Sequence, residues 1–439
     1  MTSSRRSFLK SGASALLGFP AILRAINQNS TLQIIGVGCD GKGFSDLVEV
    51  GSHQKAKFVG FCDVDSNRFA KIDQKFPGVL RYADYREMYS RLGASFDAVV
   101  VSTPDHMHAA IAMEAMRQGK HVYCQKPLSH TVWEARQMRL QAVKSKVRTQ
   151  MGNQIHSASE YRTAVRLIQE GVIGKIIEVH SWQRNSGNGY TKLVEPPVPG
   201  PVPENLNWDL WLGVAEKREY APDVYHPFKW RDWMAFGAGT MGDFGCHIFD
   251  PVFTALGLSA PLSIAADNDG LNPHTWPAAE TVRYIFPGTK FTAGSSLRLT
   301  WYDGGRLPDH AIAQLPAGMP LAKAGSLFIG EGGVLMLPHV GMPVLLPVEK
   351  FAGFAIEKLP ASSHYHAWVD AVLGGHETTD NFAYAGPLTE AVQLGNVATR
   401  LPGVTLKWDA VAMRFEGYPQ AERLLTRDYR DGWKIEAVI

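Results

Sequence analysis

The chain has 439 residues, a length that suits about two domains better than one ordinary core. Its 44 lysines and arginines nearly balance its 42 aspartates and glutamates, so the overall charge predicts no nucleic-acid partner. The four cysteines form no CxxC pair and have no metal-ligand spacing, so we expect free, buried thiols and neither a disulfide framework nor a metal site. They are Cys39, Cys62, Cys124 and Cys246.

Residues 1–30 are predicted to be a targeting segment that does not belong to the fold. A twin-arginine run, Ser4 to Lys10, precedes an apolar stretch from Gly12 to Leu23. That stretch is too short to form a stable membrane anchor, and the combination resembles a Tat export signal. The segment therefore predicts a protein that is exported already folded, to the periplasm or elsewhere outside the cytoplasm.

Residues 31–154 are predicted to form a dinucleotide-binding domain. An apolar run from Thr31 to Val37 leads into a glycine turn with Gly36, Gly38 and Gly41, and a helix-compatible segment follows. In such a turn the first glycine permits the tight turn, the second lets the backbone approach a pyrophosphate, and the third lets helix pack on strand. The N-terminus of the following helix offers free amides to the anion.

The next strand, Lys57 to Cys62, indicates which dinucleotide is bound. It ends at Asp63, at the expected distance of about 20 residues beyond the last glycine, where a carboxylate binds the adenosine ribose diol. A carboxylate there repels a 2′-phosphate, so NAD is favoured over NADP. Arg68 lies a little downstream and keeps NADP as the alternative.

Strand and helix patterns continue to alternate through the rest of this domain. They are a strand at Asp97 to Val101, a helix at His106 to Gln118, a strand at Lys120 to Cys124, a helix at Ser129 to Val143 and a strand at Val147 to Met151. This alternation predicts the α/β class with a doubly wound parallel sheet of the Rossmann type. Ligands bind at the carboxyl ends of such strands.

Residues 155–439 are predicted to form an α+β domain with a large, mostly antiparallel sheet that binds the substrate. A helix, Ala158 to Glu170, leads to a strand, Ile176 to Gln183, and a long ordered loop over residues 186–229. Five further strand patterns lack intervening long helices. They are Leu262 to Ala266, Glu280 to Phe286, Phe291 to Thr300, Ser326 to Ile329 and Gly333 to Leu337. Helices near Tyr365 to Leu373 and Leu388 to Arg400 are expected to cover this sheet or to pack back on the first domain.

Four motifs together resemble one known family. They are the glycine turn, Thr103-Pro104 followed by His108, Lys126-Pro127, and the segment from Gly239 to Asp250. The combination is similar to the glucose-fructose oxidoreductase, inositol dehydrogenase and MocA (Gfo/Idh/MocA) family. The resemblance covers about Thr31 to Ile439 and implies a homo-oligomer, either a dimer or a tetramer.

The resemblance also implies three catalytic residues. Lys126 is the active-site lysine, Asp243 orients a substrate hydroxyl, and His247 is the acid/base. The chemistry agrees, because removing hydride from a secondary alcohol requires a base at the hydroxyl, and histidine is suited to that task. Residues 243 and 247 share one face if the segment is helical. Considered singly, Asp243 could be a helix N-cap, His247 a core histidine and Lys126 a solvent-facing strand end.

Further residues are expected to bind the cofactor or the substrate. The cofactor set is Gly36, Gly38, Gly41, Asp63, Thr103, Pro104, His108, Gln125, Lys126 and Asn153. The substrate set is Gln154, His180, Arg184, Trp230 and Arg231, since sugars are bound by aromatic faces and hydrogen bonds. The sequence departs from the usual family pattern at Gln125, where a glutamate commonly precedes the lysine.

The sequence thus predicts an NAD-dependent oxidoreductase that removes hydride from a carbohydrate hydroxyl with a tightly bound cofactor. One alternative is redox-neutral cleavage of a glycoside through transient oxidation of the sugar by NAD, although the active-site motif of the glycosidases that work this way is not matched. The other alternative is a sugar-binding protein without catalysis.

Overall fold

The computed structural model describes residues 31–185 and 197–438. The predicted export signal lies outside these residues, as does part of the predicted loop at 186–229. Within the described residues, no helix has the length and apolar character needed to cross a bilayer.

The first part of the chain forms a six-stranded parallel sheet in the order β3-β2-β1-β4-β5-β6. The strands are β1 (Leu32–Val37), β2 (Ala56–Cys62), β3 (Leu80–Tyr82), β4 (Ala98–Val101), β5 (His121–Gln125) and β6 (Thr149–Gly152). The central strand β4 is apolar and buried throughout, as expected where helices cover both faces of a sheet. The predicted Rossmann sheet is confirmed.

Five helices connect these strands. They are α1 (Lys42–Gly51), α2 (Phe69–Lys75), α3 (Tyr85–Leu92), α4 (Asp105–Arg117) and α5 (Val132–Ser145). Helix α5 begins three residues later than the pattern predicted, because Thr131 caps it in a capping box with Glu134. The short strand β3 and the helices α2 and α3 were not predicted.

The second part contains a nine-stranded sheet in the order β13-β12-β11-β7-β10-β9-β8-β14-β15. The strands are β7 (Ile176–Gln183), β8 (Ser263–Asn268), β9 (Glu280–Pro287), β10 (Ser296–Asp303), β11 (Ala324–Gly330), β12 (Gly333–Pro338), β13 (Val344–Leu346), β14 (Thr405–Asp409) and β15 (Arg414–Glu416). Every pairing in it is antiparallel except that of β7 with β10. The prediction of a large, mostly antiparallel sheet is confirmed.

Five more helices accompany this sheet. They are α6 (Ser159–Gln169), α7 (Trp208–Leu212), α8 (Gly239–Leu256), α9 (His364–Val372) and α10 (Phe382–Thr399). Helix α9 packs on α1 of the first part, and α10 packs on both α5 and α8. The second part therefore returns to cover the first, and the two share one hydrophobic core.

Two boundary predictions were wrong for identifiable reasons, and one predicted loop contains a short helix. The strand predicted from Phe291 begins at Ser296, because Thr289 and Thr292 form a hydrogen-bonded turn just before it. The predicted loop at 186–229 contains α7, whose tryptophans pack in an aromatic cluster. The last helix starts at Phe382 because the Asn381 side chain caps it.

Candidate functional site

A cavity of about 500 Å³ opens at the carboxyl ends of the parallel strands, between the two parts of the chain. The first part contributes the glycine turn and the ends of β2, β4 and β5, while α8 and the residues around α7 contribute the opposite wall. This is the position at which parallel α/β sheets bind their ligands. We call this cavity the cleft.

The glycines of the turn serve three different purposes. Gly36 is enclosed in β1, where an added Cβ would lie 2.5 Å from the Leu47 side chain of α1. Gly38 has a φ of 90°, and a Cβ there would lie 2.5 Å from the Ser102 carbonyl oxygen. Gly41, with a φ of 57°, precedes α1 and leaves open space beside it. Helix packing thus depends on the first glycine, not on the third as predicted, and Gly36 does not line the cleft.

Asp63 stands at the end of β2 and lines the cleft. One of its carboxylate oxygens accepts the Cys39 amide at 2.9 Å and the other accepts the Asp65 amide at 3.0 Å. Burial raises its pKa to about 6. Each oxygen retains a second lone pair, so the carboxylate can still bind a diol.

Arg68 is held by two acidic residues of its surroundings. Its guanidinium donates to Asp65 at 2.9 Å and to Asp40, in the glycine turn, at 2.8 Å. Although Arg68 lines the cleft, its charge is therefore already neutralised by two carboxylates.

Lys126 and Asp243 form an ion pair across the cleft. The Lys126 ammonium donates to the carboxylate of Asp243 and, at 2.8 Å, to its backbone carbonyl. The Arg231 guanidinium lies 3.7 Å from the same carboxylate. Lys126 follows β5 and Asp243 belongs to α8, so this pair joins the two parts of the chain.

His247 lies one helical turn beyond Asp243 on the cleft-facing side of α8. Burial, together with the positive charge of Lys126, lowers the pKa of His247 well below its usual value. The imidazole is therefore neutral at neutral pH. Its buried Nδ1 atom has no hydrogen-bond partner among the described residues.

Two residues predicted to bind the cofactor instead hold other parts of the structure together, and neither lines the cleft. The two ring nitrogens of His108 lie 2.8 Å from the carbonyl oxygens of Thr103 and Pro127. The Asn153 amide donates to Asp250 at 2.7 Å and to the Cys246 carbonyl at 3.2 Å, so it fixes the end of β6 to α8. Thr103 and Pro104 do line the cleft.

The side chain of Gln125 is directed by a buried carboxylate. Its amide donates to Asp46 of α1 at 2.7 Å, and Asp46 is fully buried. Asp46 also accepts from Ser102 at 2.8 Å, from Tyr365 of α9 at 3.1 Å, and from Lys42. Gln125 lines the cleft beside this network.

Three of the residues predicted to bind substrate are brought to the cleft, namely Gln154, Trp230 and Arg231. His180 and Arg184 are not among the described residues that line it. His180 belongs to β7, within the large sheet. Its ring stacks on the ring of Tyr302, and its Nδ1 atom lies 2.9 Å from the Tyr302 hydroxyl oxygen. Arg184 donates its guanidinium to the Leu321 carbonyl at 3.4 Å, just beyond the end of β7.

Sequence reasoning missed several residues that line the site, and three of the missed residues bear on its chemistry. Phe228 lines the cleft, is 44% exposed and lies under the Arg231 guanidinium at 4.5 Å. Asp105 is buried beside Arg231 and Lys126, and burial raises its pKa to about 7. His339 lies 5.3 Å from His247 between ring centroids, where both residues line a smaller cavity of about 100 Å³. None of the three could have been identified from the sequence, because the exposure of Phe228, the burial of Asp105 and the approach of His339 to His247 all depend on tertiary packing.

The cleft fits a dinucleotide. Helix α1 begins without a side-chain cap, and its first turn contains no acidic residue, so its amides can bind a pyrophosphate. Asp63 lies on one side for a ribose diol, and the Lys126, Asp243 and His247 group lies on the other. A neutral imidazole, two cations and a carboxylate thus line the same cleft as Asp63 and the glycine turn.

Comparison with family models gives two matches along the chain. Residues 32–153 match the model described as "Oxidoreductase family, NAD-binding Rossmann fold", and residues 161–295 match "Oxidoreductase family, C-terminal alpha/beta domain". Both models carry the Gfo/Idh/MocA name, and together they span more than half of the chain.

Comparison with curated proteins gives matches of low sequence identity over part of the chain. The chain is 24% identical over 204 residues to glycosyl hydrolase family 109 protein 1 of Shewanella sp. (strain ANA-3), covering 39% of this chain and 44% of that protein. It is 29% identical over 160 residues to levoglucosan dehydrogenase of Pseudarthrobacter phenanthrenivorans, covering 35% and 31% respectively. The chain thus matches less than half the length of these curated relatives.

Among solved structures, the WlbA dehydrogenase from Bordetella pertussis, in complex with NADH and UDP-GlcNAcA, superposes with a TM-score of 0.59. The match has 14% sequence identity and covers 86% of this chain and 99% of that one. At this identity the likeness concerns the fold.

Proposed function

The chain belongs to the Gfo/Idh/MocA family of NAD-binding oxidoreductases, and from this premise we propose that it oxidises a hydroxyl of a sugar or glycoside with a tightly bound NAD. The observation that carries the proposal is the meeting of Lys126, Asp243 and His247 in the cleft. These residues come from two parts of the chain far apart in sequence.

NAD, when bound, supplies the hydride acceptor for the carbon that bears the hydroxyl. The hydroxyl proton passes to the ring of His247, since a neutral imidazole has one unprotonated nitrogen that can accept it. Lys126 donates to Asp243, and the ion pair fixes both side chains beside the reacting group. The carbon thus loses a hydride and the oxygen a proton, which leaves a carbonyl.

The sugar is expected to rest against the aromatic and polar residues at this end of the cleft. Phe228 is exposed, while Trp230 is only 6% exposed and supports Arg231 through a cation-π contact of 4.3 Å. We therefore assign the stacking face to Phe228 and the hydrogen bonding to Arg231 and Gln154. Trp230, the residue favoured by the sequence, takes a supporting role.

The proposal is tested first on the purified protein and then on a His247→Asn variant. Protein purified without added cofactor should release NAD on denaturation, and His247→Asn should keep the NAD and the fold but lose oxidation of sugars by about 10²–10⁴-fold. His376→Asn, a change at an exposed histidine outside the cleft, is the matched control and should remain active. An unchanged rate in His247→Asn would remove the acid/base assignment.

Redox-neutral cleavage of a glycoside is the second candidate, supported by the similarity to glycosyl hydrolase family 109 proteins. In that reaction, oxidation of the sugar acidifies the adjacent C–H, a glycosidic bond is eliminated, and the hydride returns to the sugar. Release of the aglycone without net NADH would favour it. A free keto-sugar with stoichiometric NADH favours the first proposal. A sugar-binding protein without catalysis would do neither.

Two further proposals concern the protein as a whole. The twin-arginine segment supports export in the folded state, and a cofactor carried from the cytoplasm would then have to remain bound. Family membership supports a homo-oligomer, either a dimer or a tetramer. Fractionation of the expressing cells tests the first, and light scattering tests the second.

A further inference from the structure

One buried carboxylate is bonded to three of the polar side chains that line the cleft. Asp46, in the second turn of α1, is fully buried and is not among the described residues that line the cleft. Its oxygens accept hydrogen bonds from the side chains of three residues that do line it, namely Lys42, Ser102 and Gln125. These residues belong to α1, to the loop after β4 and to the end of β5. Asp46 thus organises a wall of the cleft that it does not itself form.

The two oxygens of Asp46 have different partners. One oxygen accepts from the Lys42 ammonium and, at 3.1 Å, from the Tyr365 hydroxyl of α9. The other accepts from the Ser102 hydroxyl at 2.8 Å and from the Gln125 amide at 2.7 Å. Burial raises the pKa of Asp46, and its donors, with Lys42 first among them, act in the opposite direction. Because an ammonium and an amide NH2 group can only donate, this set of partners is that of an ionised carboxylate.

The bond to Asp46 determines which way the Gln125 amide is turned. An ionised carboxylate offers only acceptors, so Gln125 must turn its NH2 group toward Asp46 and its carbonyl oxygen away from it. That oxygen accepts the Lys126 backbone amide at 3.3 Å and retains a second lone pair. Gln125 therefore provides a hydrogen-bond acceptor on a wall where the ammonium groups of Lys42 and Lys126 can only donate.

Gln125 stands at the catalytic end of the cleft. It precedes Lys126, which pairs with Asp243. In a Rossmann domain the acidic residue after the second strand, here Asp63, receives the adenosine ribose, and the glycine turn receives the pyrophosphate. The second ribose of a dinucleotide therefore lies between the glycine turn and the reacting groups. Each hydroxyl of that ribose carries a proton that requires an acceptor.

We propose that Asp46 is a positioning residue for the nicotinamide ribose, acting through Gln125, whose amide oxygen it turns toward a hydroxyl of that ribose. The inference rests on the proposed function, because it requires that the cleft bind NAD. Asp46 also holds Lys42, at the start of the helix whose amides receive the pyrophosphate. A single buried carboxylate thereby couples this helix to the strand end that carries Lys126.

The substitution Asp46→Asn should reverse the Gln125 amide. The Lys42 ammonium can only donate, so the oxygen of the introduced amide stays on the Lys42 side and its NH2 group faces Gln125. Two NH2 groups cannot bond each other, so Gln125 turns its oxygen toward position 46, and the ribose hydroxyl loses its acceptor. Adding Gln125→Glu should restore one, because a carboxylate bonds the introduced amide with one oxygen and presents the other to the cleft.

The test compares the affinities of NAD and ADP for the full-length protein, measured by calorimetry after bound nucleotide is removed in mild urea. ADP lacks the second ribose and is the internal reference for the rest of the site. Asp46→Asn should lower the ratio of NAD affinity to ADP affinity about three- to tenfold, as expected for the loss of one hydrogen bond. Gln125→Met removes the same acceptor and should lower the ratio to a similar degree. The double variant, Asp46→Asn with Gln125→Glu, should recover the ratio of the unaltered chain.

Asp370→Asn is the matched control. It makes the same change at an exposed carboxylate of α9 that pairs with His53, at 3.1 Å, just beyond the end of α1. This variant alters the contact between α1 and α9 away from the cleft, so it should keep the ratio of the unaltered chain. Thermal melting confirms that each variant is folded.

The outcomes separate this inference from the proposed function. An unchanged ratio in Asp46→Asn or in Gln125→Met overturns the inference. So does a lowered ratio that the double variant fails to recover, because moving a carboxylate to position 125 would not repair a general disturbance of the wall. If Asp46→Asn does not fold, the double variant is measured alone, and a ratio as low as that of Gln125→Met overturns the inference. A chain that binds neither NAD nor ADP overturns the proposed function, and this inference with it.

Discussion

At the scale of single residues, Gln125 is explained by a neighbour that the sequence does not place near it. Its side chain lies 2.7 Å from the carboxylate of Asp46, which is fully buried on α1. A glutamate at position 125 would put a second, largely buried carboxylate against the first. Glutamine provides a donor where a carboxylate would be repelled.

Gln125→Glu should therefore lower the free energy of unfolding at pH 7 by about 2–4 kcal/mol, since one of two adjoining buried carboxyl groups must be protonated or left uncompensated. Combining it with Asp46→Asn should recover most of the loss, because the amide introduced at position 46 would then donate to the carboxylate introduced at position 125. Urea unfolding of the two single variants and the double variant measures the coupling. Additive losses in the double variant would show that the two side chains do not interact in this way.

The residues of the site were predictable where spacing along the chain determined them. Lys126, Asp243 and His247 follow from motifs, and the structure brings them together in the cleft. The hydrogen-bond partners of Asn153 and His108 could not be foreseen from the sequence, because Asp250 and Pro127 are distant from them along the chain. Phe228 gave no stronger signal than its neighbour Trp230, since exposure depends on tertiary packing.

At the scale of elements, the placement of α8 depends on a buried network at its middle. Asp250 accepts from Asn153 at 2.7 Å and from Tyr161 at 2.9 Å, and it pairs with His156 at 3.0 Å. Burial lowers the pKa of His156, but the Asp250 carboxylate outweighs that effect and raises it to about 9. The network fixes α8 to the end of β6, and with it the position of His247 beside Lys126.

The ion pair between His156 and Asp250 predicts that the free energy of unfolding depends on pH. The pKa of His156 is higher in the folded chain than its unfolded value of about 6.5, so its contribution is complete below pH 6.5 and is lost as the pH rises through about 9. Urea unfolding of the unaltered chain should show this decline between these pH values. The His156→Gln variant should be less stable than the unaltered chain at pH 6 and should not show this decline. The control variant His376→Gln should show the same decline as the unaltered chain. An identical decline in His156→Gln would contradict the assignment.

The elements themselves were predicted to different degrees. Among the parallel strands, β1 and β4 were located by their short runs of isoleucine and valine. The sequence did not firmly predict that α8 is a helix, because its pattern is weakened by Gly239, Gly242, Gly245 and Pro251. In the structure, burial of most of its surface stabilises the helix. The edge strands β3, β13 and β15 have only three residues each, too few to show an alternating pattern.

At the scale of the whole molecule, the cleft joins the two parts of the chain, and its polar groups favour one dinucleotide. Asp63 lines the cleft at the place proposed for the adenosine ribose, and the guanidinium of Arg68 is engaged by Asp40 and Asp65. A 2′-phosphate would therefore meet a carboxylate and no uncommitted arginine at this position. These features support NAD as the cofactor.

The preference should appear as a difference in thermal stability. After bound nucleotide is removed in mild urea, NAD at a hundredfold excess over its Kd should stabilise the protein by about 2.7 kcal/mol, because it binds only the folded chain. NADP at the same concentration should raise the melting temperature less than NAD does. The Asp63→Ser variant should show a smaller difference between the two nucleotides. Equal stabilisation of the unaltered chain by the two nucleotides would contradict the assignment of Asp63.

The central claim is that this chain transfers hydride from a carbohydrate carbon to a retained NAD. The most direct measurement is to mix the purified protein with sugars and glycosides deuterated at their carbons and to quench the mixture during turnover in alkali, in which reduced nicotinamide is stable. The mass of the released nucleotide is then measured by mass spectrometry. Deuterium should be found in the nicotinamide, and His247→Asn should abolish its appearance while the nucleotide remains bound. Consumption of the substrate with no deuterium in any bound nucleotide would contradict the account.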